Sequence, residues 1–330
     1  MTFHRTSSRA ERNHRRRNPR LRVLAKVAIA LGISALVAGV VSPAGATFPG
    51  DNGRISFSSD RSGRLQIYTM SPHGGRLEQL TNAPGNSIFS DWTPDGEWIL
   101  FDSDRPTGGC DEDGCNVDIF IMSAEGEHVR RLTRGPSFDG DPAVSPDGKS
   151  IAFGSDRDGD PEIFTMRLDG THLEQLTHND VGDFTPDWSP DGKHIAFSSD
   201  RAGGEGSSAV YTMRSDGSRV RRVTPLRLNG GVADWSPDGE LIAFVSNAAA
   251  PGTSKIYVVE PDGEDLERLT NPSEEESDFF PSWSPNGRKL TFSHFAEDNI
   301  DIYVIRADGS DPLRLTRDPA FDIAPDWGND

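Results

Sequence analysis

The sequence is poor in cysteine, in long apolar runs and, beyond its first residues, in positive charge. Its two cysteines, Cys110 and Cys115, stand in one acidic, glycine-rich segment with four residues between them. A redox pair would have two residues between the thiols, so this spacing favours a local disulfide in an exported protein. The bridge would close a very small loop and would stiffen that loop more than it stabilises the fold.

The one long apolar run lies near the N-terminus. Residues 1–26 carry nine basic residues and one acidic residue, residues 27–41 are uncharged, and Ala44-Gly45-Ala46 follows. This order predicts a signal peptide at 1–46 that is cleaved after Ala46, by the Sec or the twin-arginine route. The apolar run is short for a membrane span, which favours cleavage over the alternative of an uncleaved anchor. We therefore expect a secreted or extracytoplasmic protein with no membrane span after cleavage.

Positive charge is scarce in the remaining chain. Of 34 basic and 52 acidic residues, 25 basic and 51 acidic residues remain in 47–330, a net charge of −26. Such a surface repels phosphate backbones, which excludes nucleic acid as a partner.

Catalytic signatures are also missing. The sequence has no G-x-S-x-G motif, no zinc-ligand spacing, and no repeated spacing among its eight histidines. These absences favour a protein that is not an enzyme.

What the sequence does contain is a repeated phrase, Trp-Ser-Pro-Asp-Gly. It occurs in five exact or variant copies at intervals of 44 to 52 residues, and Trp327 adds a sixth tryptophan at the end of the chain. A period of this length with strand-like contents is typical of a propeller, whose small sheets need neighbours on both faces. The copies begin at Trp92, Val144, Trp188, Trp235 and Trp283.

Each repeat carries four strand signals separated by turns, and the two ends of the series complement each other. The series opens on a second-strand sequence, Arg54-Ile55-Ser56-Phe57, and ends on a first-strand sequence, residues 322–327. We predict an all-β, six-bladed propeller of four-stranded blades over 47–330, in which the C-terminal strand completes the first blade. Closure of the ring would remove exposed sheet edges.

The repeats resemble the beta-propeller repeat of the TolB family, P-x-W-S-P-D-G-x-x-I-A-F-x-S-D-R followed by I-Y-x-M, D-G and L-T, over residues 51–327. They are also similar to the propellers of prolyl-oligopeptidase-type enzymes. TolB carries an additional α/β domain before its propeller, whereas here the predicted signal peptide leads straight into the first blade. The resemblance therefore implies the fold and does not carry over the role of TolB in the outer-membrane Tol–Pal assembly. We also expect no peptidase domain beside the propeller, since the repeats occupy the rest of the sequence.

Two sets of aspartates are candidates for a site, because first strands line the channel of a propeller. Carboxylates that converge there could bind a cation such as calcium; the alternatives are a solvated acidic rim and a calcium loop in one of two acidic runs, 111–114 and 156–160. The predicted metal ligands, five positions before the Trp position, are Asp139, Asp183, Asp278 and Asp322. The predicted channel-lining residues, directly before it, are Asp91, Asp187, Asp234 and Asp326.

Other repeated aspartates favour structural roles. Those of the Pro-Asp-Gly turns are expected to bind nearby backbone. The Ser-Asp-Arg tripeptides after four second strands are expected to cap a turn and to form ion pairs between blades.

The sequence thus predicts an exported, non-catalytic, monomeric propeller that binds a protein or a cell-envelope component. The alternative is a carbohydrate- or peptide-processing enzyme that uses a pair of channel carboxylates as acid and base.

Overall fold

A computed structural model describes residues 47–105, 116–203, 207–250 and 253–330. The predicted signal peptide and the predicted Cys110–Cys115 disulfide lie outside the described residues. The regular secondary structure of the described chain is β-strand, apart from one short 3-10 turn at Leu226–Leu228. Its strands are β1 (Asn52–Ser59), β2 (Gln66–Met70), β3 (Glu78–Gln79), β4 (Ser87–Trp92), β5 (Trp98–Ser103), β6 (Asp118–Ser123), β7 (Arg130–Arg131), β8 (Asp139–Val144), β9 (Ser150–Ser155), β10 (Glu162–Arg167), β11 (Glu174–Gln175), β12 (Asp183–Trp188), β13 (His194–Ser199), β14 (Ala209–Arg214), β15 (Arg221–Arg222), β16 (Gly230–Trp235), β17 (Ile242–Ala250), β18 (Thr253–Val259), β19 (Glu267–Arg268), β20 (Ser277–Trp283), β21 (Lys289–Ala296), β22 (Asn299–Arg306), β23 (Leu313–Arg314) and β24 (Asp322–Asn329).

The strands form six four-stranded antiparallel sheets, which are the blades of a closed propeller. Blades two to six each use four consecutive strands, beginning with β4, β8, β12, β16 and β20. Blade one has the order β24-β1-β2-β3, and Ile55 pairs with Trp327 between its two inner strands. The predicted fold is confirmed, including closure by the C-terminal strand.

The Ser-Pro-Asp-Gly segments form the turns between first and second strands. In blade four, the Gly192 N–H donates to the Ser189 carbonyl over 2.8 Å, and Gly192 adopts a positive φ of 69°. The Asp191 carboxylate accepts hydrogen bonds from the Ser189 hydroxyl (2.8 Å) and the Lys193 N–H (3.0 Å). The predicted structural role of this turn aspartate is therefore confirmed.

The core lies between the blades. In each blade a second-strand Phe faces a third-strand Tyr or Phe, as Phe57 and Tyr68 do with ring centroids 6.0 Å apart. In four blades the arginine of the Ser-Asp-Arg tripeptide covers this aromatic pair, and Arg61 lies 5.0 Å from the centroid of Tyr68. Both rings are thereby shielded from water on the side of the arginine.

The two faces of the ring have different connections. We call the end with the first-to-second and third-to-fourth turns the turn face, and the opposite end the loop face. The turns between first and second strands are nearly uniform in length, as in 145–149, 189–193 and 236–241. The second-to-third connections on the loop face vary widely, since residues 104–117 form one of them and residues 297–298 another.

Candidate functional site

The first strand of every blade contains one residue in the left-handed conformation, three positions before the Trp position. Its φ lies between 50° and 58°, and the pairing register between first and second strands shifts around it. A β-branched side chain is rarely found with such a φ, yet two of the six positions carry one. The repeated feature is a β-bulge, which redirects one side chain in each inner strand. The six residues are Phe89, Asp141, Thr185, Val232, Phe280 and Ala324.

Four of these bulge residues form an apolar plug in the central channel. Phe89, Val232, Phe280 and Ala324 belong to one buried cluster, although they come from blades two, five, six and one. The rings of Phe89 and Phe280 meet edge to face, with centroids 6.0 Å apart. Blades two and six flank blade one on opposite sides, so these side chains meet inside the ring and not at an interface between neighbouring blades.

The other side of the channel holds two buried carboxylates, Asp102 and Asp141. In blade six, the second-strand residue Ser293 accepts the Ala324 N–H of the next blade over 3.0 Å. Asp102 stands at the equivalent position of blade two and accepts the Asp141 N–H over 3.3 Å. Blade three has Gly154 at this position, which has no side chain to accept a hydrogen bond. The Asp141 carboxylate accepts the Thr185 N–H of blade four in its place. A Cβ on Gly154 would lie 3.8 Å from Asp141 Oδ2, so the carboxylate takes the place of a serine side chain.

Burial governs the protonation of this pair. It raises the pKa of Asp141 to about 7. Burial and then the charge of Asp141 raise the pKa of Asp102 well above its usual value. Asp102 Oδ1 has no hydrogen-bond partner among the described residues. At neutral pH the pair is therefore poised to hold at least one proton.

We expect Asp141→Asn to flatten the pH dependence of stability. A carboxyl whose pKa is raised in the folded state stabilises the fold below its unfolded pKa, and that contribution is lost as pH rises through about 7. Each pKa unit corresponds to about 1.4 kcal/mol. The variant should therefore melt several degrees above the unmodified protein at pH 8, with the difference shrinking toward pH 4.5.

Thermal unfolding between pH 4.5 and pH 8 measures this effect, and Asp191→Asn is a matched control. Partial burial raises the pKa of Asp191, but hydrogen bonds from Lys193 and Ser189 outweigh this effect and lower the pKa to about 2. Its contribution is therefore lost only at more acidic pH, and the control should leave the slope unchanged. If the melting temperature of Asp141→Asn depended on pH as steeply as that of the unmodified protein, the raised pKa of Asp141 would be refuted.

The four predicted channel-lining aspartates lie at the ends of the first strands and join adjacent blades. Each accepts the backbone N–H of the Trp position in the next blade, as Asp234 accepts the Trp283 N–H over 2.6 Å. In blade six, Ser282 takes the place of the aspartate and accepts the Trp327 N–H over 3.2 Å. The other three bonds run from Val144 to Asp91 (2.6 Å), from Trp235 to Asp187 (2.7 Å) and from Trp92 to Asp326 (3.2 Å).

These four side chains, which we call the aspartate ring, are almost inaccessible to water. Each is at most 4% exposed. Burial raises the pKa of all four, and the charge of Asp326 further raises those of Asp91 and Asp234; the value for Asp326 itself is about 7. Within the described ranges, no lysine, arginine or histidine forms an ion pair with any of them. Asp91 Oδ1 and Asp187 Oδ1 have no hydrogen-bond partner there either. The ring thus concentrates uncompensated acid at the turn-face end of the channel.

The four predicted metal ligands lie instead at the loop-face ends of the first strands, and each is paired with a cationic or ionisable side chain of its own blade. The expectation of ion pairs between blades was wrong, because the arginine follows the second strand, which is hydrogen-bonded to the first strand of the same sheet. A calcium site at these residues stays a prediction, although an arginine already balances the charge of three of the four carboxylates. The pairs are Asp322–Arg61 (2.7 Å), Asp139–Arg157 (2.5 Å), Asp183–Arg201 (2.5 Å) and Asp278–His294 (2.6 Å).

The aspartate of the Ser-Asp-Arg tripeptide was predicted to cap a turn, but its carboxylate binds the chain that leads into the first strand. Asp60 accepts the Phe321 N–H over 2.9 Å, and Asp156 accepts the Phe138 N–H over 2.8 Å. Both bonds tie the end of the second strand to the residue just before the first strand of the same blade.

A second acidic group, formed by Asp158, Asp160 and Glu162, lies on the loop face of blade three. Their carboxylate oxygens lie within 4.8 Å of one another. In blade two the residue equivalent to Glu162 is Asp118, which pairs with Arg131 at 2.7 Å. Blade three has Gln175 at the position of that arginine. Burial raises the pKa of Glu162 to about 7. The acidic run at 156–160 predicted a calcium loop, but the missing arginine on β11 was not recognised from the sequence.

No helix in the part of the chain that the structure describes has the length and apolar content to cross a membrane.

Comparison with solved structures relates this ring to TolB proteins. TolB from Acinetobacter baumannii superimposes with a TM-score of 0.74 at 24% identity, over 86% of this chain and 68% of that chain. The putative TolB from Agrobacterium tumefaciens gives a TM-score of 0.62 at 23% identity, over 82% of this chain and 89% of that chain. At these identities, the likeness shows a shared fold.

Sequence comparison finds partial matches. A "Protein TolB homolog" of Chlorobium luteolum is 30% identical over 142 residues, which are 33% of this chain and 33% of that protein. An "Uncharacterized peptidase YuxL" of Bacillus subtilis is 29% identical over 132 residues, 31% of this chain and 20% of that protein. The matches thus span a third or less of these curated relatives. The family model described as "TolB beta propeller domain" matches residues 108–203, 158–280 and 234–330, more than half of the chain, so the protein belongs to the TolB beta propeller domain family.

Proposed function

We propose that the protein is an exported, non-catalytic binding scaffold that presents its loop face to a protein or a component of the cell envelope. The difference between the two faces carries this proposal. The turn face is built from near-identical short turns, whereas the second-to-third connections of the loop face differ in length and composition between blades. A rigid ring with variable loops at one end separates scaffold from binding site. These connections are residues 60–65, 104–117, 156–161, 200–208, 251–252 and 297–298.

Charge supports the same face. This acidic group has no matching arginine on β11, so the exposed Asp158 and the half-buried Asp160 offer negative charge that no side chain of β11 balances. A partner with exposed basic residues would meet complementary charge there. TolB-type relatives support a protein as the partner.

The alternative of an enzyme with channel carboxylates receives no support from the geometry. The aspartate ring is buried and accepts backbone N–H groups, and the apolar plug lies in the channel beside it. A general acid or base must reach the substrate by a hydrogen bond. The similarity to a peptidase covers only 20% of that protein.

Site-specific photo-crosslinking tests the binding face. A photoreactive amino acid replaces Asp158 or Asp180 on the loop face. The matched controls carry it at Asp169 or Asp216, which are exposed on the turn face. We expect crosslinks to one partner in extracytoplasmic fractions from the loop-face positions alone. Asp158→Lys combined with Asp160→Lys should weaken the captured complex at least tenfold, whereas Asp169→Lys with Asp216→Lys should not. Crosslinking from the turn face alone would refute the proposal.

We also propose that the protein binds calcium, and the effect of calcium on the melting temperature of variants can locate the site. If it binds to the four predicted ligands, its stabilising effect disappears in an Asp139/Asp183/Asp278/Asp322→Asn variant. If calcium binds to the acidic group of blade three, its stabilising effect remains in that fourfold variant and is lost when Asp158→Asn is combined with Asp160→Asn. Equal melting temperatures with calcium and with chelator, at constant ionic strength, would refute both sites.

A further inference from the structure

The residues that directly follow the predicted cleavage point lie inside the propeller. Thr47 and Phe48 are 2% and 6% exposed. Phe48 packs in the same apolar cluster as Val144 and Trp188, on blades three and four. The Thr47 hydroxyl donates to the Trp283 carbonyl (3.2 Å) and to Asp234 Oδ1 (3.4 Å). The segment therefore lies at the turn-face end of the channel, against the aspartate ring.

The backbone nitrogen of Thr47 must lie close to its hydroxyl. The two atoms are separated by three covalent bonds and lie within about 4 Å of each other in any rotamer. Since the hydroxyl hydrogen-bonds to Asp234, the nitrogen lies within reach of the electrostatic field of the ring.

The ring has no cationic partner in the part of the chain that the structure describes. Among the described residues it makes hydrogen bonds to backbone N–H groups and hydroxyls, and Asp91 Oδ1 and Asp187 Oδ1 have no partner. Buried carboxylates are destabilising unless they are neutralised or paired with a positive charge. An amide nitrogen at Thr47 offers one neutral donor, whereas a free amino terminus offers three donors and a full positive charge.

We propose that cleavage of the signal peptide creates this missing cation, and that the α-ammonium group of Thr47 binds the aspartate ring and locks the mature propeller. A signal peptidase would hydrolyse the Ala46–Thr47 bond with one water molecule, leaving a carboxylate on Ala46 and an ammonium group on Thr47. The uncleaved precursor would lack this contact, so full stability would arise only after export. This inference rests on the proposed export and on cleavage after Ala46.

The test compares chains 47–330, which contain all six blades, with a free or a blocked amino group at Thr47. The free form is released from a fusion partner by a protease that leaves no extra residue. The blocked forms carry an Nα-acetyl group or a Gly-Ser extension. At pH 7 the free form should melt at least about 5 °C above both blocked forms, a shift of the size expected when one partner of a buried ion pair is lost.

The same comparison of free and acetylated chains in a variant of the ring assigns the difference in melting temperature to the ring. In Asp91/Asp187/Asp234/Asp326→Asn the difference between free and acetylated chains should vanish. If that variant does not fold, Asp234→Asn alone should reduce the difference by at least half, while Asp139→Asn on the loop face should leave it unchanged. Equal melting temperatures for the free and blocked forms of the unmodified chain would overturn the proposal.

Chemical labelling gives a second measurement. The α-amino group of the folded free form should react with an amine-specific reagent at least tenfold more slowly than in urea. A rate equal to that of an exposed peptide amine would overturn the proposal. The mass of the protein exported from the full chain tests cleavage separately: a start at another residue would refute the proposed cleavage point, whereas the 47–330 comparison would still measure the effect of the ammonium group.

Discussion

Deletion of residues 321–330 is expected to abolish the stable monomer. The deletion removes β24, the inner strand of blade one, and leaves the edge of β1 without its partner. It also removes Asp326, which accepts the Trp92 N–H of blade two, and the Trp327 N–H, which donates to Ser282 of blade six. Both neighbouring interfaces are therefore lost together with the closure of the ring. An open ring with an exposed strand edge should unfold or associate through that edge.

Size-exclusion chromatography with light scattering and circular dichroism measures this outcome. The control is deletion of Asp330 alone, an exposed residue beyond the last strand. That chain should remain a folded monomer with a melting temperature close to that of the unmodified protein. A monomeric 321–330 deletion with an unchanged melting temperature would contradict the closed ring.

Trp188→Ala is expected to lower the free energy of unfolding by ~3–5 kcal/mol. Trp188 is 6% exposed and packs in an apolar cluster that spans blades two, three and four. The neighbouring blades cannot collapse into the vacated space, because the closed ring holds them in place.

Val144→Ala is the internal control, because Val144 holds the same position of the repeat in blade three and is fully buried. It removes less volume, so its cost should be clearly smaller. Urea unfolding monitored by circular dichroism measures both values. Equal costs for the two substitutions would show that the Trp position does not stabilise the ring through its packing.

The repeat made the architecture predictable because its signals are local. A turn such as Ser189–Gly192 depends on φ values and on bonds between residues a few positions apart, and strand alternation follows from the same short segments. Six copies of these signals determine the number of blades. The unmatched strand at each end determines how the ring closes, and the pairing of Ile55 with Trp327 confirms it.

Contacts between blades could not be predicted in the same way. The hydrogen bond from Trp283 N–H to Asp234 joins residues 49 positions apart, and its existence depends on how one sheet is rotated against the next. The pairing of Arg61 with Asp322 likewise requires knowing which strands share a sheet. The Asp141 carboxylate takes the place of a side chain that Gly154 lacks, which no pattern along the chain reveals.

The sequence by itself thus determined the fold class, the six blades and the closing strand, because short-range turn and strand preferences repeat along the chain. Only the tertiary structure decided the state of the carboxylates. It paired the loop-face aspartates with arginines or a histidine, buried the aspartate ring with no cation from the described residues beside it, and placed Thr47 against the ring. The physical reason is that charge and burial depend on distances across the ring. Those distances exist only once six separate sheets have closed around a common axis.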